Sequence, residues 1–180
     1  GGGVPLLLVG TNARKLRVVH APDGVVAAER AGHHAGSVYC VAAVASGATV
    51  VAATGSNDKL VKVVTLGVGG RSEAGRVEVR SHDALDVVLR GHTGTVRSVC
   101  FDRGGAEAED EWRRTPSHGR RLLSAGAGTF AIRVWSLDEA GGRQAAALSG
   151  HSAAVFELRS SGSDGRIASA SADGSVRLWD

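Results

Sequence analysis

Short apolar stretches alternate with turn residues along the whole chain, and no window has a persuasive helical period. The end of the chain shows this most clearly, where Val155–Leu158, Arg166–Ser171 and Ser175–Trp179 are predicted to be three successive strands. Asp173-Gly174 lies between the last two, and this dipeptide supplies the positive φ angles that a tight hairpin requires. The pattern predicts an all-β domain of meandering antiparallel strands.

Three further groups of strands are predicted upstream, one of three strands and two of four. We expect the first group to lack its inner strand and the last group to lack its outer strand. The predicted strands are Leu6–Gly10, Leu16–His20 and Val25–Glu29 in the first group; Val38–Ala42, Thr49–Thr54, Leu60–Thr65 and Leu85–Leu89 in the second; and Val96–Phe101, Arg121–Ala125, Ile132–Ser136 and Gln144–Leu148 in the third.

A histidine opens a similar short segment three times. The segments His34–Val38, His92–Val96 and His151–Val155 begin at intervals of 58 (92 − 34) and 59 (151 − 92) residues. Glycine precedes the last two, and the third copy runs on to Trp179-Asp180. A Gly-His opening and a Trp-Asp close frame one four-strand unit of a repeat protein.

On these residues the chain resembles the WD-repeat β-propeller family, and the resemblance covers essentially all of residues 1–180. It implies one partial β-propeller of four-stranded antiparallel blades: a partial blade 1 (4–29), blade 2 (34–89), blade 3 (92–149) and a partial blade 4 (151–180). Propellers close with about 4 to 8 blades, and open sheet edges invite aggregation. We therefore expect further blades outside this chain.

The resemblance also implies a structural hydrogen-bond relay in each blade. An indole N–H donates to a hydroxyl, the hydroxyl connects to an imidazole, and a carboxylate ends the series. Blade 4 has every member, whereas blade 2 has Val64 at the tryptophan position and blade 3 has glycine or threonine, at Gly128-Thr129, in place of the turn aspartate. The expected relay residues are His151, Ser169, Asp173 and Trp179 in blade 4, His34, Thr54 and Asp58 in blade 2, and His92, Ser124 and Trp135 in blade 3.

Histidine, serine and aspartate also form hydrolase triads, but a triad needs an exposed nucleophile beside an oxyanion hole. Here the set recurs at repeat spacing and ends in tryptophan, which favours a buried structural network. The pair His33-His34 is a weak metal candidate, because adjacent strand residues point to opposite faces. The glycine cluster Gly67–Gly70 lacks a dinucleotide fingerprint, and no GxxxxGK[ST] motif occurs. We expect no catalytic residue, no cofactor and no metal.

Two insertions, 67–81 and 102–119, interrupt the repeat pattern. Long loops in compact domains tend to be functional or disordered. The second insertion carries an acidic stretch followed by Trp112. A tryptophan in such a loop is either an anchor for the loop or a hot spot for a partner. The candidate partner contacts are Trp112, Arg113, Arg114, Lys59 and Lys62.

The formal net charge is +3, but the basic residues are scattered among apolar ones, which indicates solvated strand faces and no nucleic-acid partner. No apolar run approaches the ~18 residues of a membrane span, so we expect no membrane partner.

Cys40 and Cys100 lie in apolar strand patterns, which is typical of buried reduced thiols in the cytoplasm. The chain contains no methionine and begins at Gly1, so we expect it to be a fragment.

Fold alone does not identify function, because propellers serve many functions. The segments 9–18, 33–41, 54–63 and 123–128 are similar to those of a microtubule-associated branch of the WD-repeat family. This resemblance implies a non-enzymatic cytoplasmic scaffold that binds other proteins, with microtubules or microtubule-associated proteins among them. The alternative is a substrate receptor of a ubiquitin ligase or another WD-repeat adaptor. Such receptors often carry arginine two places after the Trp-Asp aspartate, and Trp135 is followed instead by Ser-Leu-Asp.

Overall fold

Fifteen β-strands make up the described part of the chain. The structure, a computed structural model, describes residues 5–71, 77–81, 86–102, 120–138, 141–161 and 164–180. The strands are β1 (Leu6–Gly10), β2 (Leu16–His20), β3 (Val26–Arg30), β4 (Val38–Ser46), β5 (Thr49–Ser56), β6 (Val61–Arg71), β7 (Val77–Ser81), β8 (Val87–Leu89), β9 (Val96–Asp102), β10 (Arg120–Gly126), β11 (Ile132–Asp138), β12 (Gly141–Leu148), β13 (Val155–Ser160), β14 (Ile167–Ser171) and β15 (Val176–Trp179).

The strands form four antiparallel sheets, which we name sheets I to IV in chain order. Sheet I has the order β1-β2-β3, sheet III the order β12-β11-β10-β9, and sheet IV the order β13-β14-β15. Sheet II has the order β4-β5-β6-β7, with β8 also paired to β6. Short turns join several pairs of sequential strands, and in the β14–β15 turn Gly174 has a φ of +80°. The all-β fold class predicted from the sequence is confirmed.

The hydrophobic core lies between the sheets rather than inside any one of them. Sheets II and III are covered on both faces, so their strands carry apolar side chains at consecutive positions, as at Leu122 and Leu123. The three clusters combine Leu16 and Val18 of sheet I with Ala52, Val64 and Leu66 of sheet II; Val51, Val61, Val63 and Leu89 of sheet II with Val99, Phe101, Leu122 and Trp135 of sheet III; and Leu123, Ala125, Ile132 and Val134 of sheet III with Val155, Leu158 and Ile167 of sheet IV.

The segment 67–81, expected to be a loop insertion, consists largely of strand. Strand β6 continues to Arg71, and β7 returns along it with Val79 paired to Val68. Strand β8 pairs with the beginning of β6, where Leu89 lies opposite Val61. Together β7 and β8 form the outer strand of sheet II. The glycine and charged residues of this segment have low strand propensity, so the sequence did not predict this strand. The strand is defined by its pairing with the long strand β6.

The second expected insertion connects the first two strands of sheet III. Strand β9 ends at Asp102 and β10 begins at Arg120. Trp112, Arg113 and Arg114 lie outside the described residues, and their role as partner contacts stays a prediction. No helix of the described residues has the length and apolarity needed to cross a membrane.

The first strands of sheets II, III and IV lie side by side, with β9 contacting both β4 and β13. Each has a register shift near its start that leaves one residue out of the pairing ladder. The three bulged residues are Tyr39, Arg97 and Phe156, and all three are exposed. A bulge re-aims the side chain of the unpaired residue, so one edge of the molecule displays three side chains in a row.

Candidate functional site

Sheet IV contains a continuous series of hydrogen bonds through four side chains. Trp179 Nε1 donates to Ser169 Oγ at 2.9 Å, and Ser169 Oγ lies 2.7 Å from His151 Nε2. His151 Nδ1 lies 2.7 Å from Asp173 Oδ2. The carboxylate places the imidazole proton on Nδ1, so Nε2 accepts the hydroxyl proton of the serine. One hydroxyl therefore accepts from the indole and donates to the imidazole.

Asp173 also ties the β14–β15 turn to the loop before β13. It accepts the backbone N–H of Ser152 at 3.1 Å and the backbone N–H of Ser175 at 2.9 Å, and the Ser175 hydroxyl donates to it at 2.6 Å. These hydrogen bonds, led by the Ser175 hydroxyl, hold the pKa of Asp173 far below its usual range. The residue is therefore ionised near neutral pH.

Sheet II builds the same arrangement on Thr54. His34 Nε2 lies 2.9 Å from Thr54 Oγ1, and His34 Nδ1 lies 2.8 Å from Asp58 Oδ2. Asp58 also accepts the backbone N–H groups of Ala35 at 2.9 Å and Leu60 at 3.0 Å. Burial acts to raise the pKa of Asp58, but the hydrogen bonds from Leu60, His34 and Ala35 outweigh it and lower the pKa.

In sheet II two residues, Val64 and His33, take the place of the tryptophan found in sheets III and IV. Val64 occupies the register position of the tryptophans of sheets III and IV and is 1% exposed. His33 Nε2 lies 2.8 Å from Thr54 Oγ1. Because the threonine proton goes to His34, His33 must carry its proton on Nε2 and donate it to Thr54 Oγ1. Val64 fills part of the volume, and His33 supplies the donor.

His33 and His34 do not point to opposite faces, contrary to the expectation for adjacent strand residues. Both precede β4 in a bent segment, where strand alternation does not apply. Their rings meet edge to face with centroids 4.8 Å apart, and both contact Thr54. One sequence signal could have identified His33 as a relay member: the other two copies have glycine at this position, in Gly91-His92 and Gly150-His151.

The exchange of glycine for histidine has a steric basis. A Cβ atom at Gly150 would lie 2.8 Å from Arg177 Nη1 and 3.2 Å from Trp179 Cη2. One at Gly91, where φ is +148°, would lie 3.1 Å from Arg133 Nη1 and in ordinary contact, 3.5 Å, with Trp135 Cη2. The arginine and the indole of the nearby strand therefore both favour glycine before the relay histidine. Val64 is smaller than an indole, which leaves room for the side chain of His33.

Burial keeps the paired histidines neutral. It lowers the pKa of His33 to about 3, with a further contribution from the charges of His34, Arg30 and Lys62. It also lowers the pKa of His34, although Asp58 opposes this. Lys62 Nζ donates to the His33 carbonyl at 2.5 Å, so this candidate partner contact is engaged within its own molecule. Its role in partner binding stays a prediction.

In sheet III the relay ends at the histidine. Trp135 Nε1 and His92 Nε2 each lie 2.7 Å from Ser124 Oγ. The aspartate position is Gly128, which has a φ of +100°, and a Cβ atom there would lie 2.3 Å from Thr93 Oγ1. The close approach of this turn to the loop before β9 leaves no space for a carboxylate side chain.

The relays hold their polar groups inside the protein. Thr54 and Ser124 are fully buried, Ser169 is 2% exposed, and each hydroxyl is already paired with a ring N–H and an imidazole. A hydroxyl in this state cannot approach a substrate, so the site is structural in its chemistry.

Within the described ranges, no group of three or more His, Cys, Asp and Glu residues is placed to hold a metal ion. Burial raises the pKa of the Cys40 thiol to about 12, which keeps it protonated.

Comparison with known proteins finds the same repeat. The WD40 family model, described as "WD domain, G-beta repeat", matches residues 24–64 and 142–180. The solved structure "Crystal Structure of Mitotic Checkpoint Complex" contains a chain similar to this one with a TM-score of 0.66 and 14% sequence identity. The alignment covers 97% of this chain and 45% of that chain, and at this identity it shows the fold alone. Two segments of this chain therefore match the WD40 repeat, and its four antiparallel sheets and repeated relays are consistent with blades of a WD40-type β-propeller.

Proposed function

We propose that this chain is a non-enzymatic protein-interaction scaffold associated with the cytoskeleton. The observation that supports this most directly is the burial of the relay hydroxyls and imidazoles, which are committed to holding the blades together. WD40-repeat proteins are typically non-catalytic scaffolds. Binding residues concentrate on loops that a rigid scaffold positions, so the turns and strand ends of the sheets are the expected contact surface.

A resemblance in sequence supports the cytoskeletal part of the proposal. The segments 9–18, 33–41, 54–63 and 123–128 resemble, in the same order, the C-terminal propeller of nemitin, the microtubule-associated WD repeat-containing protein 47. Two of these segments depart from the repeat consensus, one in Gly10-Thr11-Asn12 with Lys15–Val18 and the other in Ser124–Gly128, which lacks the turn aspartate. Shared departures of this kind are more specific than shared consensus residues. The proposed location is the cytoplasm, on microtubules or on proteins that bind them.

Exposed basic side chains on two turns suit an acidic partner such as the surface of tubulin. Arg14 lies in the β1–β2 turn with a φ of +64°, and Lys59 lies in the β5–β6 turn with a φ of +71°. The loop before β4 connects these turns, because the Ser37 hydroxyl donates to the Asn12 carbonyl at 3.5 Å and Asn57 N–H donates to the Ser37 carbonyl at 3.4 Å. Both positive charges therefore lie at the same end of adjacent sheets.

Co-sedimentation of the full chain with stabilised microtubules tests this proposal, both alone and with added microtubule-associated proteins. We expect pelleting that weakens as salt is added, because salt screens exposed charges. The double variant Arg14→Glu, Lys59→Glu should pellet less. Arg143→Glu on the outer strand β12 is the matched control and should pellet like the unmodified chain. No salt-sensitive pelleting under either condition would overturn the microtubule assignment.

A further inference from the structure

The three bulged residues form one stacked cluster across sheets II, III and IV, which we call the bulge cluster (Tyr39, Arg97 and Phe156). Arg97 Cζ lies 5.7 Å from the centroid of the Tyr39 ring and 5.4 Å from the centroid of the Phe156 ring. The two aromatic residues are 52% and 48% exposed. One arginine thus bridges aromatic side chains from two neighbouring sheets while remaining open to solvent.

The chemistry of this cluster is that of an anion-binding site with apolar flanks. Aromatic faces attract the guanidinium of Arg97 and restrict its movement. The five N–H donors of a guanidinium lie in its own plane, where they remain available to a ligand. No described residue accepts a hydrogen bond from Arg97, so the donors can bind a carboxylate in bidentate fashion without breaking an existing pair.

The neighbouring charges do not neutralise Arg97. Glu157 follows Phe156 in the chain, but its carboxylate pairs with Arg159. Asp58 and Asp173, at the turns of the same end of the sheets, are held by histidine and backbone N–H groups. Exposed basic side chains lie on the adjoining turn and loop, at Lys59 and Arg90. The carboxylates nearest to the cluster in sequence and at these turns are therefore already paired with other groups.

We infer that the bulge cluster is a docking site for an acidic peptide segment of a partner protein. A carboxylate of the peptide pairs with Arg97, and a neighbouring apolar side chain packs on Tyr39 or Phe156. Tyrosine and arginine are enriched among the residues that dominate binding energy at interfaces. This inference rests on the scaffold function proposed above and is independent of the microtubule assignment.

An array of immobilised peptides, probed with the full chain, tests the inference. Each peptide places Glu or Asp next to Leu or Phe, and its matched peptide replaces the acids by Gln or Asn. We expect retention on the acidic members only. In solution, Arg97→Ala should weaken binding of the best acidic peptide by about tenfold or more, because the charge pair is lost. Tyr39→Ala and Phe156→Ala should each weaken it by a smaller factor of about three.

Arg97→Lys and Arg143→Ala serve as controls. Lysine keeps the charge but loses the planar fork, so it should bind more weakly than arginine and more tightly than alanine. Arg143→Ala removes an exposed arginine from β12 and should bind like the unmodified chain. Equal retention of acidic and amide peptides, or unchanged binding by Arg97→Ala, would overturn the inference. Acidic-peptide binding without microtubule pelleting would refute only the microtubule assignment.

Discussion

Sheets II and IV satisfy the same buried hydroxyl with different donors. In sheet IV the donor is the indole of Trp179, whereas in sheet II it is the imidazole of His33. The acceptor side is unchanged, because a histidine and an aspartate follow the hydroxyl in both sheets. In both sheets a ring N–H lies at the hydroxyl, and this donor comes from the strand in sheet IV and from the loop before the first strand in sheet II.

The two solutions differ in their response to protonation. An indole carries no titratable proton near neutral pH, whereas a donor histidine must stay neutral inside the protein. Sheet II therefore holds two histidines, His33 and His34, that burial keeps uncharged. The donor His33 thus adds a dependence of stability on pH that the indole donor of sheet IV does not have.

Acid should destabilise the protein through the buried histidines that the folded state keeps neutral. The pKa of His33 is lowered to about 3 and that of His92 to about 4, so the unfolded chain binds protons that the folded chain does not. The free energy of unfolding should fall as pH drops below about 6.5, by up to about 1.4 kcal/mol per pH unit for each such histidine. Urea unfolding between pH 7 and 4.5 measures this slope, in a window above the range in which the relay carboxylates titrate.

The control for this slope is His33→Gln, which keeps an N–H donor but cannot titrate. Its free energy of unfolding should fall less steeply with acid than that of the unmodified chain. The difference in slope should be the contribution of one histidine, up to about 1.4 kcal/mol per pH unit. An unchanged slope would show that His33 is not one of the histidines that the folded state keeps neutral.

Trp135→Ala should cause the largest loss among the substitutions, about 3–5 kcal/mol of unfolding free energy, because a cavity opens between sheets II and III. Trp135 is 2% exposed, so little of the cavity can collapse into solvent. Trp135→Phe retains most of the volume and loses only the donor, which should cost about 1–2 kcal/mol. Denaturant unfolding compares the two, and an alanine variant as stable as the phenylalanine variant would contradict the packing argument.

Gly128→Asp should not complete the relay of sheet III, and instead should destabilise the protein by about 3 kcal/mol. The new side chain combines a strained positive φ with a clash against Thr93. Gly141→Asp is the matched control, because its φ is +134° and no atom lies within 4 Å of the added Cβ. A thermal melt in which Gly128→Asp is at least as stable as Gly141→Asp would refute the steric explanation.

His33→Leu should cost about 1–2 kcal/mol, since it leaves the buried Thr54 hydroxyl without its donor. The leucine fills similar space, which separates the hydrogen bond from the packing. Denaturant unfolding at pH 7 should rank this variant below His33→Gln. If leucine proves as stable as glutamine, the donor role assigned to His33 is wrong.

Much of this architecture could be predicted from the sequence, because alternating apolar positions and the histidine spacing both reflect local rules. His33 could not, since its role depends on whether a distant strand carries valine or tryptophan at position 64. The clash that excludes a side chain at Gly128 likewise comes from a loop more than thirty residues away, at Thr93. Strand β7 was hidden because strand pairing, not local propensity, defines it.

The bulge cluster could be predicted in part from the sequence. Its members are spaced by 58 (97 − 39) and 59 (156 − 97) residues, the same intervals that separate the relay histidines. Equal spacing indicates equivalent positions in consecutive repeats, and neighbouring repeats bring equivalent positions together. The exposure of the three side chains depends on bulges, which no composition or periodicity reveals.

The placement of the core between sheets limits how such a protein can be cut and rejoined. A sheet removed from the middle would leave two apolar faces that were never matched to each other. Without sheet III, for example, the face of sheet II that presents Val63 would meet the face of sheet IV that presents Leu158. Recombination that preserves stability must therefore exchange a sheet together with the face that it meets. The unit that packs as a whole is the junction between two neighbouring sheets. The repeat along the chain corresponds to one sheet, so its boundaries do not coincide with those of the packing unit.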